Sequence, residues 1–283
     1  MQDDHFPLLG IQEFSEGRNA DDLVLFNELH GQREIIEPHK HDFLIIILFQ
    51  KGSGVHTIDF TDYKISSNQL HLVFPGQVHH WKIHKGTVAF QVMISKSQFQ
   101  SVLQDFHFSP AQYHQHPVTD LDQNSYNKLF YEFQAVKEEL NLPDVSWKIV
   151  QQRCSLLALL INRVVASVTK RNDPYRSNPV LAQYIALIDV HFRDQRSVSF
   201  YASQIGVTAN YLNVLCRKLI DIPASVVIQS RVLLEAKRLL RASTLSMKEI
   251  VYELGFYDNT SFSKFFRTHS GVTPTAFREG KGS

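Results

Sequence analysis

The chain contains few cysteines and no long apolar run, and these two absences argue against a disulfide-rich secreted protein and against a membrane protein. Only two cysteines, Cys154 and Cys216, occur among 283 residues, and their spacing suits neither a disulfide framework nor a metal site. No stretch reaches the ~18 uninterrupted apolar residues of a membrane helix, and the N-terminus MQDDHFPLLG lacks a basic-then-apolar export pattern. We therefore expect a cytoplasmic protein with reduced, packed thiols, no membrane partner and, from its length, two domains.

The net charge of +1 is distributed unevenly along the chain. Residues 179–283 contain 13 Lys and Arg against 8 Asp and Glu, whereas residues 1–178 contain 16 against 20. A basic C-terminal part joined to an acidic N-terminal part favours a partner that carries phosphates at one end of the protein.

One pattern occurs twice in the C-terminal third. The copies read YASQIGVTANYLNVLCRK from Tyr201 and IVYELGFYDNTSFSKFFR from Ile250, an offset of 49 residues. Each copy predicts a short helix, a glycine at the turn, a capping residue and a second amphipathic helix, which is a helix-turn-helix. We assign the two units to 198–219 and 247–269. Residues 224–241 predict a long helix that holds them at a fixed separation.

The outer face of each second helix carries hydrogen-bonding side chains suited to base edges and phosphates. A single glycine between helices would equally suit an ordinary helical hairpin, but two copies favour DNA binding. Asparagine can pair bidentately with adenine, so Asn210 and Asn213 are predicted to read bases, whereas Arg217 and Arg267 are predicted to meet phosphates. The full predicted set is Asn210, Asn213, Arg217 and Lys218 in the first unit and Asn259, Thr260, Ser263, Lys264 and Arg267 in the second.

These residues resemble the AraC-type transcription regulators over residues 179–278. The resemblance is most specific at Leu254, Gly255, Phe256, Asp258, Ser261, Phe262, Ser263, Phe265, Phe266, Arg267, Gly271, Pro274, Phe277 and Arg278. It implies a DNA-binding domain at 179–283, base contacts from Val214 besides Asn210 and Asn213, and matching contacts from Thr260, Ser263 and Lys264. RNA polymerase is a partner that it also implies. Asp221 and Cys216 depart from the family pattern, which concerns the loop after the first unit.

The N-terminal part predicts a strand-rich fold. Short apolar runs at 44–50, 55–60, 63–66, 70–74 and 88–94 are separated by turn residues, as in a barrel or jelly roll. The sequences PHKH from Pro38 and FPGQVH from Phe74 resemble the two cupin motifs. The predicted fold class is a cupin-like barrel followed by helices, and then an all-α domain with two helix-turn-helix units. A sensing and dimerisation domain would span 1–170 and a polar linker 171–178.

Three histidines invite a metal interpretation. In metal-binding cupins His39, His41 and His79 would stand at ligand positions, with a glutamate completing the set. That glutamate is missing, because residues 43–48 are apolar throughout. We therefore expect no metal and no cofactor, and place the three histidines at the mouth of a pocket for a small-molecule effector.

A long helix predicted at 145–170 carries a wide apolar stripe with two interpretations. The stripe can pack on the barrel, or it can form a homodimer surface, and the sequence leaves both open. Its members are Ile149, Cys154, Leu156, Leu157, Leu160, Ile161, Val164, Val165 and Val168.

The sequence therefore predicts a DNA-binding transcription regulator whose N-terminal barrel senses a small molecule. The alternatives are a metal-dependent cupin enzyme with an accessory helical domain, and a constitutive adaptor in which the barrel only dimerises. No convergent acid, base or nucleophile pattern supports a catalytic site. The effector, the operator and the direction of regulation stay open.

Overall fold

A computed structural model describes residues 8–9, 11, 24–102, 105–106, 113, 116–168 and 178–281. The chain divides into two compact units, with the division between Lys170 and Arg171. Most of the predicted linker, residues 171–177, lies outside the described residues.

The N-terminal unit is built on two five-stranded sheets among the described residues, in the orders β1-β3-β8-β5-β6 and β10-β7-β4-β9-β2. Apart from the parallel β1–β3 pair, neighbouring strands are antiparallel. This cupin-like arrangement confirms the predicted barrel class, and it adds β1, β2, β3, β8 and β10 to the predicted strands. The strands are β1 Leu8–Leu9, β2 Val24–His30, β3 Arg33–His41, β4 Leu44–Lys51, β5 Gly54–Ile58, β6 Thr61–Ile65, β7 Gln69–Val73, β8 Val78–Ile83, β9 Val88–Ile94 and β10 Val118–Asp120.

Strand β4 is apolar on both faces because both faces are covered. Leu44, Ile46 and Leu48 belong to a core shared with the helices, while Ile45 and Ile47 belong to the core between the two sheets. All five side chains are at most 3% exposed. A strand buried on both sides has a continuous apolar sequence rather than alternating apolar and polar residues. The sequence of 44–50 therefore predicts a strand but does not show which residues lie on each face.

Three helices of this unit are α1 Lys96–Val102, α2 Gln123–Leu140 and α3 Trp147–Val168. Helix α3 begins two residues later than predicted, because the carbonyl of Ser146 accepts the first helical hydrogen bonds, from Ile149 and Val150. The predicted stripe divides. Cys154, Leu157, Ile161, Val164 and Val165 are buried in the core, Leu160 packs against it, Ile149 and Leu156 are exposed, and the side chain of Val168 lies outside the described residues.

Helix α3 also passes a test of length and apolar composition for a membrane span, over Trp147–Ser167. Its buried stripe explains that composition, because the core helix of a globular domain carries the same residues. Elsewhere in the described ranges no helix passes the test.

The C-terminal unit is helical in every described element, as predicted. Asn178 caps its first helix by accepting from the Leu181 amide. The second and third helices form the first helix-turn-helix, and the fifth and sixth form the second. The helices are α4 Pro179–His191, α5 Val198–Ile205, α6 Ala209–Ile220, α7 Ala224–Ala242, α8 Met247–Glu253, α9 Asn259–Ser270 and α10 Pro274–Arg278.

Candidate DNA-binding surface and buried histidine cluster

The first helix-turn-helix turns at Gly206. This residue has φ +77°, a left-handed conformation that glycine adopts without steric cost, and it ends α5. Two residues later the Thr208 hydroxyl accepts from the Tyr211 amide at 3.1 Å and starts α6. The glycine and cap therefore act as the sequence predicts, and α6 buries Leu212, Leu215 and Cys216.

The second helix-turn-helix repeats this arrangement with a stronger cap. Gly255 has φ +65°, and the Asp258 carboxylate accepts from the Ser261 amide at 2.7 Å. The Ser261 hydroxyl also lies 3.4 Å from the Asp258 amide, which completes a capping box. Hydrogen bonds from Ser261 to the ionised carboxylate, first that of its amide, hold the pKa of the Asp258 carboxyl below its usual value. Helix α9 buries Phe262 and Phe266.

Helix α7 is held against α4 by a charged cluster. Arg231 donates to Asp189 at 2.9 Å and to Glu235 at 3.0 Å, and its guanidinium stacks 4.0 Å from the Phe192 ring centre. Burial raises the pKa of Glu235, but the neighbouring Arg231 and Arg238 charges outweigh it and hold that pKa below its usual value. The helix between the two units is therefore fixed by its contacts as well as by its length.

A second connection joins the α4–α5 loop to the second unit. The Arg196 guanidinium lies 3.7 Å from the centre of the Phe256 ring and donates to the Leu254 carbonyl. Both partners belong to the turn of the second helix-turn-helix. Arg196 therefore couples the turn of one unit to the start of the other, and the sequence offered no local signal for this contact.

Most of the predicted DNA contacts are exposed on α6 and α9. Val214 is 54% exposed, and Ser263 is half-buried. Sequence reasoning missed three exposed tyrosines on this unit, Tyr211, Tyr252 and Tyr257, of which Tyr257 is 98% exposed. The other exposed members of the predicted set are Asn210, Arg217, Lys218, Asn259, Thr260, Lys264 and Arg267.

Asn213 does not share the position of Asn210. Its side chain is half-buried, and its Oδ1 accepts from the Ala224 amide at 3.2 Å, at the start of α7. An amide at the first turn of a helix has no intrahelical acceptor, so Asn213 satisfies a donor that would otherwise be unpaired. This contact does not support the predicted base-reading orientation of Asn213, because the carbonyl oxygen needed for adenine is already bound.

In the N-terminal unit, β3 and β8 bring the three predicted histidines together. His39 and His79 are register partners across these strands, and with His41 they offer ring nitrogens that lie within 4.8 Å of one another. The side chains lie in the interior between the sheets, at 5%, 2% and 2% exposure for His39, His41 and His79. They are therefore buried rather than placed at an open mouth.

Two further histidines extend this cluster across the core. His56 on β5 lies 3.0 Å from His79 (Nε2 to Nδ1) and 2.9 Å from His71 on β7 (Nδ1 to Nδ1). Burial lowers the pKa of His71 to about 3. Burial, with the neighbouring imidazoles, holds the pKa values of His56 and His79 well below the usual value. All three rings are therefore neutral near pH 7.

His56 and His71 had a sequence signal, although a weak one. Each is a polar residue inside a predicted strand. His56 shares the buried face of β5 with Ile58, and His71 lies in β7, where all five residues are buried. Polar residues at inward positions of a strand need partners in the core. Finding those partners requires knowledge of which strands face each other.

Two protein families match the two units. The helix-turn-helix domain family matches residues 201–280, and the AraC-like ligand binding domain family matches residues 24–143. Together they cover more than two thirds of the chain.

Several similar proteins match this chain over most of its length. The HTH-type transcriptional activator RhaS of Escherichia coli is 22% identical over 253 residues, covering 86% of this chain and 87% of that protein. RhaS of Citrobacter koseri is 23% identical over 254 residues, with the same coverage. Among solved structures, ToxT from Vibrio cholerae with bound unsaturated fatty acid covers 94% of this chain and 98% of its own, at 13% identity and a TM-score of 0.43.

The fold and the duplicated helix-turn-helix define a DNA-binding regulator with an N-terminal ligand-binding domain. The chain belongs to the AraC/XylS family of transcription regulators.

Proposed function

We propose that α6 and α9 enter successive major grooves on one face of B-DNA, about 34 Å apart. The observation that carries this proposal is that both second helices are capped, exposed on their polar face and joined through α7. Arg231 holds α7 against α4, and Arg196 joins the α4–α5 loop to the second turn. Two rigidly joined reading helices bind a longer operator than one helix could specify.

Base reading and phosphate anchoring fall to different residues in this proposal. Asn210 and Val214 on α6 and Thr260, Ser263 and Lys264 on α9 contact base edges. Arg217, Lys218, Asn259 and Arg267 contact the backbone. Asn213 orients the start of α7 through Ala224 and acts on DNA indirectly.

The protein acts as a homodimer paired through α2 and α3. Support comes from apolar side chains on these helices and their connection that are exposed in the single chain, at 64% for Tyr131, 50% for Leu142 and 46% for Ile149. A cavity of about 320 Å³ lies on the same surface, lined by Tyr131, Leu142, Ile149 and Arg153 among others. Contiguous exposed apolar patches of this kind mark association surfaces.

The N-terminal unit senses a small molecule and changes how the DNA-binding unit is presented. A ligand can do this only by binding one arrangement better than another. By similarity to RhaS, whose name describes an activator, the protein activates transcription. In this proposal it acts in the cytoplasm and contacts RNA polymerase. It has no catalytic role in this proposal.

Selection of bound sequences from a random duplex library tests the DNA-binding proposal. We expect two enriched half-sites about one helical turn apart, since two linked helices read two adjacent grooves. A single enriched site without a second at that spacing would contradict the two-groove arrangement. Sedimentation analysis of a Tyr131→Glu, Ile149→Glu variant tests the dimer, and a Lys64→Glu variant, exposed on β6 away from these helices, is the control.

A further inference from the structure

The hydrogen bonds of the buried histidines determine which ring nitrogen of each imidazole carries the proton. The assignment starts at Gln69, at one end of the chain of hydrogen bonds. The Ser66 amide can only donate, so the Gln69 oxygen Oε1, 2.8 Å away, must face it. Gln69 Nε2 then donates to Asp120 Oδ1 at 2.8 Å. The orientation of the Gln69 amide is therefore set by partners whose roles are fixed.

Starting from Gln69, the tautomer of each imidazole can be assigned in turn. His71 Nε2 lies 3.1 Å from Gln69 Oε1, an acceptor, so it carries the proton and leaves His71 Nδ1 bare. His56 Nδ1 must then donate to His71 Nδ1, which leaves His56 Nε2 to accept from His79 Nδ1. A neutral imidazole has one donor and one acceptor nitrogen, and this chain uses each of them once.

The chain ends at His79 with an unused acceptor. His79 carries its proton on Nδ1, and its Nε2 is buried with no hydrogen-bond partner among the described residues. A buried acceptor without a partner destabilises the folded state, because it has lost its hydrogen bond to water. An arrangement that fixes such an atom in place at this cost suggests that Nε2 has a ligand.

His39 presents a second bare nitrogen to the same space. Its Nδ1 lies 3.1 Å from the Glu37 carbonyl oxygen, which can only accept, so the proton is on Nδ1 and Nε2 is bare. The ring centres of His39 and His79 are 4.5 Å apart, and His41 lies 4.7 Å from the first and 5.0 Å from the second. Two independent hydrogen bonds therefore leave Nε2 as the acceptor on two neighbouring rings.

We propose that His39, His41 and His79 bind one divalent first-row transition-metal ion, and that His56, His71, Gln69 and Asp120 are positioning residues that fix the ligand tautomer of His79. Metal-bound histidines characteristically donate their other ring N–H to a protein acceptor, which sets the ring orientation and raises the basicity of the ligand nitrogen. His79 has such an acceptor in His56, and His39 has one in the Glu37 carbonyl.

The geometry and donor type select the ion class. Imidazole suits zinc, copper, iron and nickel, whereas magnesium and calcium prefer oxygen ligands. Tetrahedral ligands ~2.0–2.1 Å from zinc are about 3.4 Å apart, so nitrogens within 4.8 Å need small ring rotations to close on an ion. Three protein ligands leave at least one position for water or a small molecule.

The missing glutamate, from which we expected no metal, does not exclude this site. A carboxylate at residues 43–48 is not needed when a buried hydrogen-bond chain orients the imidazoles. The site lies within the N-terminal unit and does not depend on how the C-terminal unit binds DNA.

Equilibrium dialysis of chelator-treated, full-length protein against Zn²⁺ tests the site, with metal content measured by elemental analysis. We expect about one zinc per chain, lost in His39→Ala and in His79→Ala, and no binding of Mg²⁺. Absence of zinc binding, or undiminished stoichiometry in both variants, would overturn the site.

Two variants test the positioning residues. His71→Phe keeps an aromatic ring but removes the acceptor for His56, and we expect zinc affinity to fall about 10–100-fold. The paired change Gln69→Glu, Asp120→Asn keeps an acceptor for His71 Nε2. It only exchanges the donor and the acceptor in the hydrogen bond between residues 69 and 120. We therefore expect a zinc affinity within a few-fold of that of the native protein. Unchanged affinity in His71→Phe would overturn the positioning role.

Heteronuclear NMR of the histidine rings in the unsubstituted, metal-free protein measures the tautomers directly. Because no residue is substituted, a folding defect cannot affect the result. We expect His39 and His79 to be protonated on Nδ1 and bare on Nε2, with both Nε2 resonances moving when zinc is added. Protonation of His79 on Nε2 would contradict the proposed chain.

Discussion

The carbonyl oxygen of Arg193 occupies the space that a Cβ atom at Gly255 would need. Gly255 also has φ +65°, so this position in the second turn excludes other residues on two independent grounds. Gly206 in the first turn has φ +77°, but a Cβ there would meet nothing within 4 Å. The two turns look equivalent in sequence and differ in packing.

Gly255→Ala should therefore destabilise the C-terminal unit more than Gly206→Ala. A left-handed alanine costs about 1–2 kcal/mol of unfolding free energy, which is all that we expect at Gly206. At Gly255 displacement of the Arg193 backbone adds about 1–3 kcal/mol. Urea unfolding followed by far-ultraviolet circular dichroism measures both variants.

Tryptophan fluorescence supplies an internal control for that experiment. The two tryptophans, Trp81 and Trp147, both lie in the N-terminal unit, so their transition should not move in either variant. Equal losses for the two alanine variants would contradict the packing difference at the turns.

Arg196→Ala should weaken both stability and DNA binding. The variant loses a close cation–π contact with Phe256, worth about 0.5–2 kcal/mol, and a hydrogen bond to Leu254, worth about 0.5–1.5 kcal/mol. The loss of affinity for the complete operator should exceed the loss of affinity for either half-site alone, because Arg196 fixes the two helix-turn-helix units relative to each other. Arg193→Ala is the matched control, since the Arg193 side chain is about half exposed (47%), pairs with Glu235 rather than with the second turn, and lies farther from a ring, 5.5 Å from Phe192.

Local features of this fold were predictable, and contacts between distant segments were not. Gly206, Thr208 and Asp258 could be read as turns and caps because their roles depend on the backbone within three residues. The chain from His79 through His56 to His71 depends on β8, β5 and β7, which belong to two sheets that face each other. The contact of Asn213 with Ala224 could not be predicted for the same reason, because it depends on where α7 begins. The rest of the predicted DNA-contact set remains a prediction.

A fragment of residues 175–283 should fold and bind DNA without the N-terminal unit. The structure divides at Lys170 and Arg171, and the C-terminal helices bury their own apolar residues, including Tyr184, Tyr201, Phe262 and Phe266. Binding should be weaker than that of the full chain if dimerisation supplies avidity. Circular dichroism and a duplex-binding titration measure the two properties, and an unfolded fragment would contradict separate domains at 1–170 and 179–283.

Asn210→Ala and Asn213→Ala should have different effects, although the side chains are three residues apart. Asn210 is exposed, so its loss should relax preference at one or two base pairs at a cost of about 1–3 kcal/mol in binding. Asn213 caps α7, so its loss should lower stability by about 1 kcal/mol and weaken all operators alike. A library of operator variants distinguishes them. Relaxed base preference in Asn213→Ala would restore the orientation first predicted from the sequence.

Arg267→Ala should weaken every sequence to a similar degree. Arg267 is exposed in the last turn of α9, past the residues proposed to contact bases, and a phosphate contact carries no sequence information. Each neutralised phosphate contributes about −0.9 to the slope of log affinity against log salt. The variant should therefore make that slope less negative by about one. Lys128→Ala, an exposed basic residue on α2, should leave the slope unchanged. Titrations of one operator and one scrambled duplex at several salt concentrations decide the matter, and a changed base preference in Arg267→Ala would mean that α9 is rotated about its axis in the groove.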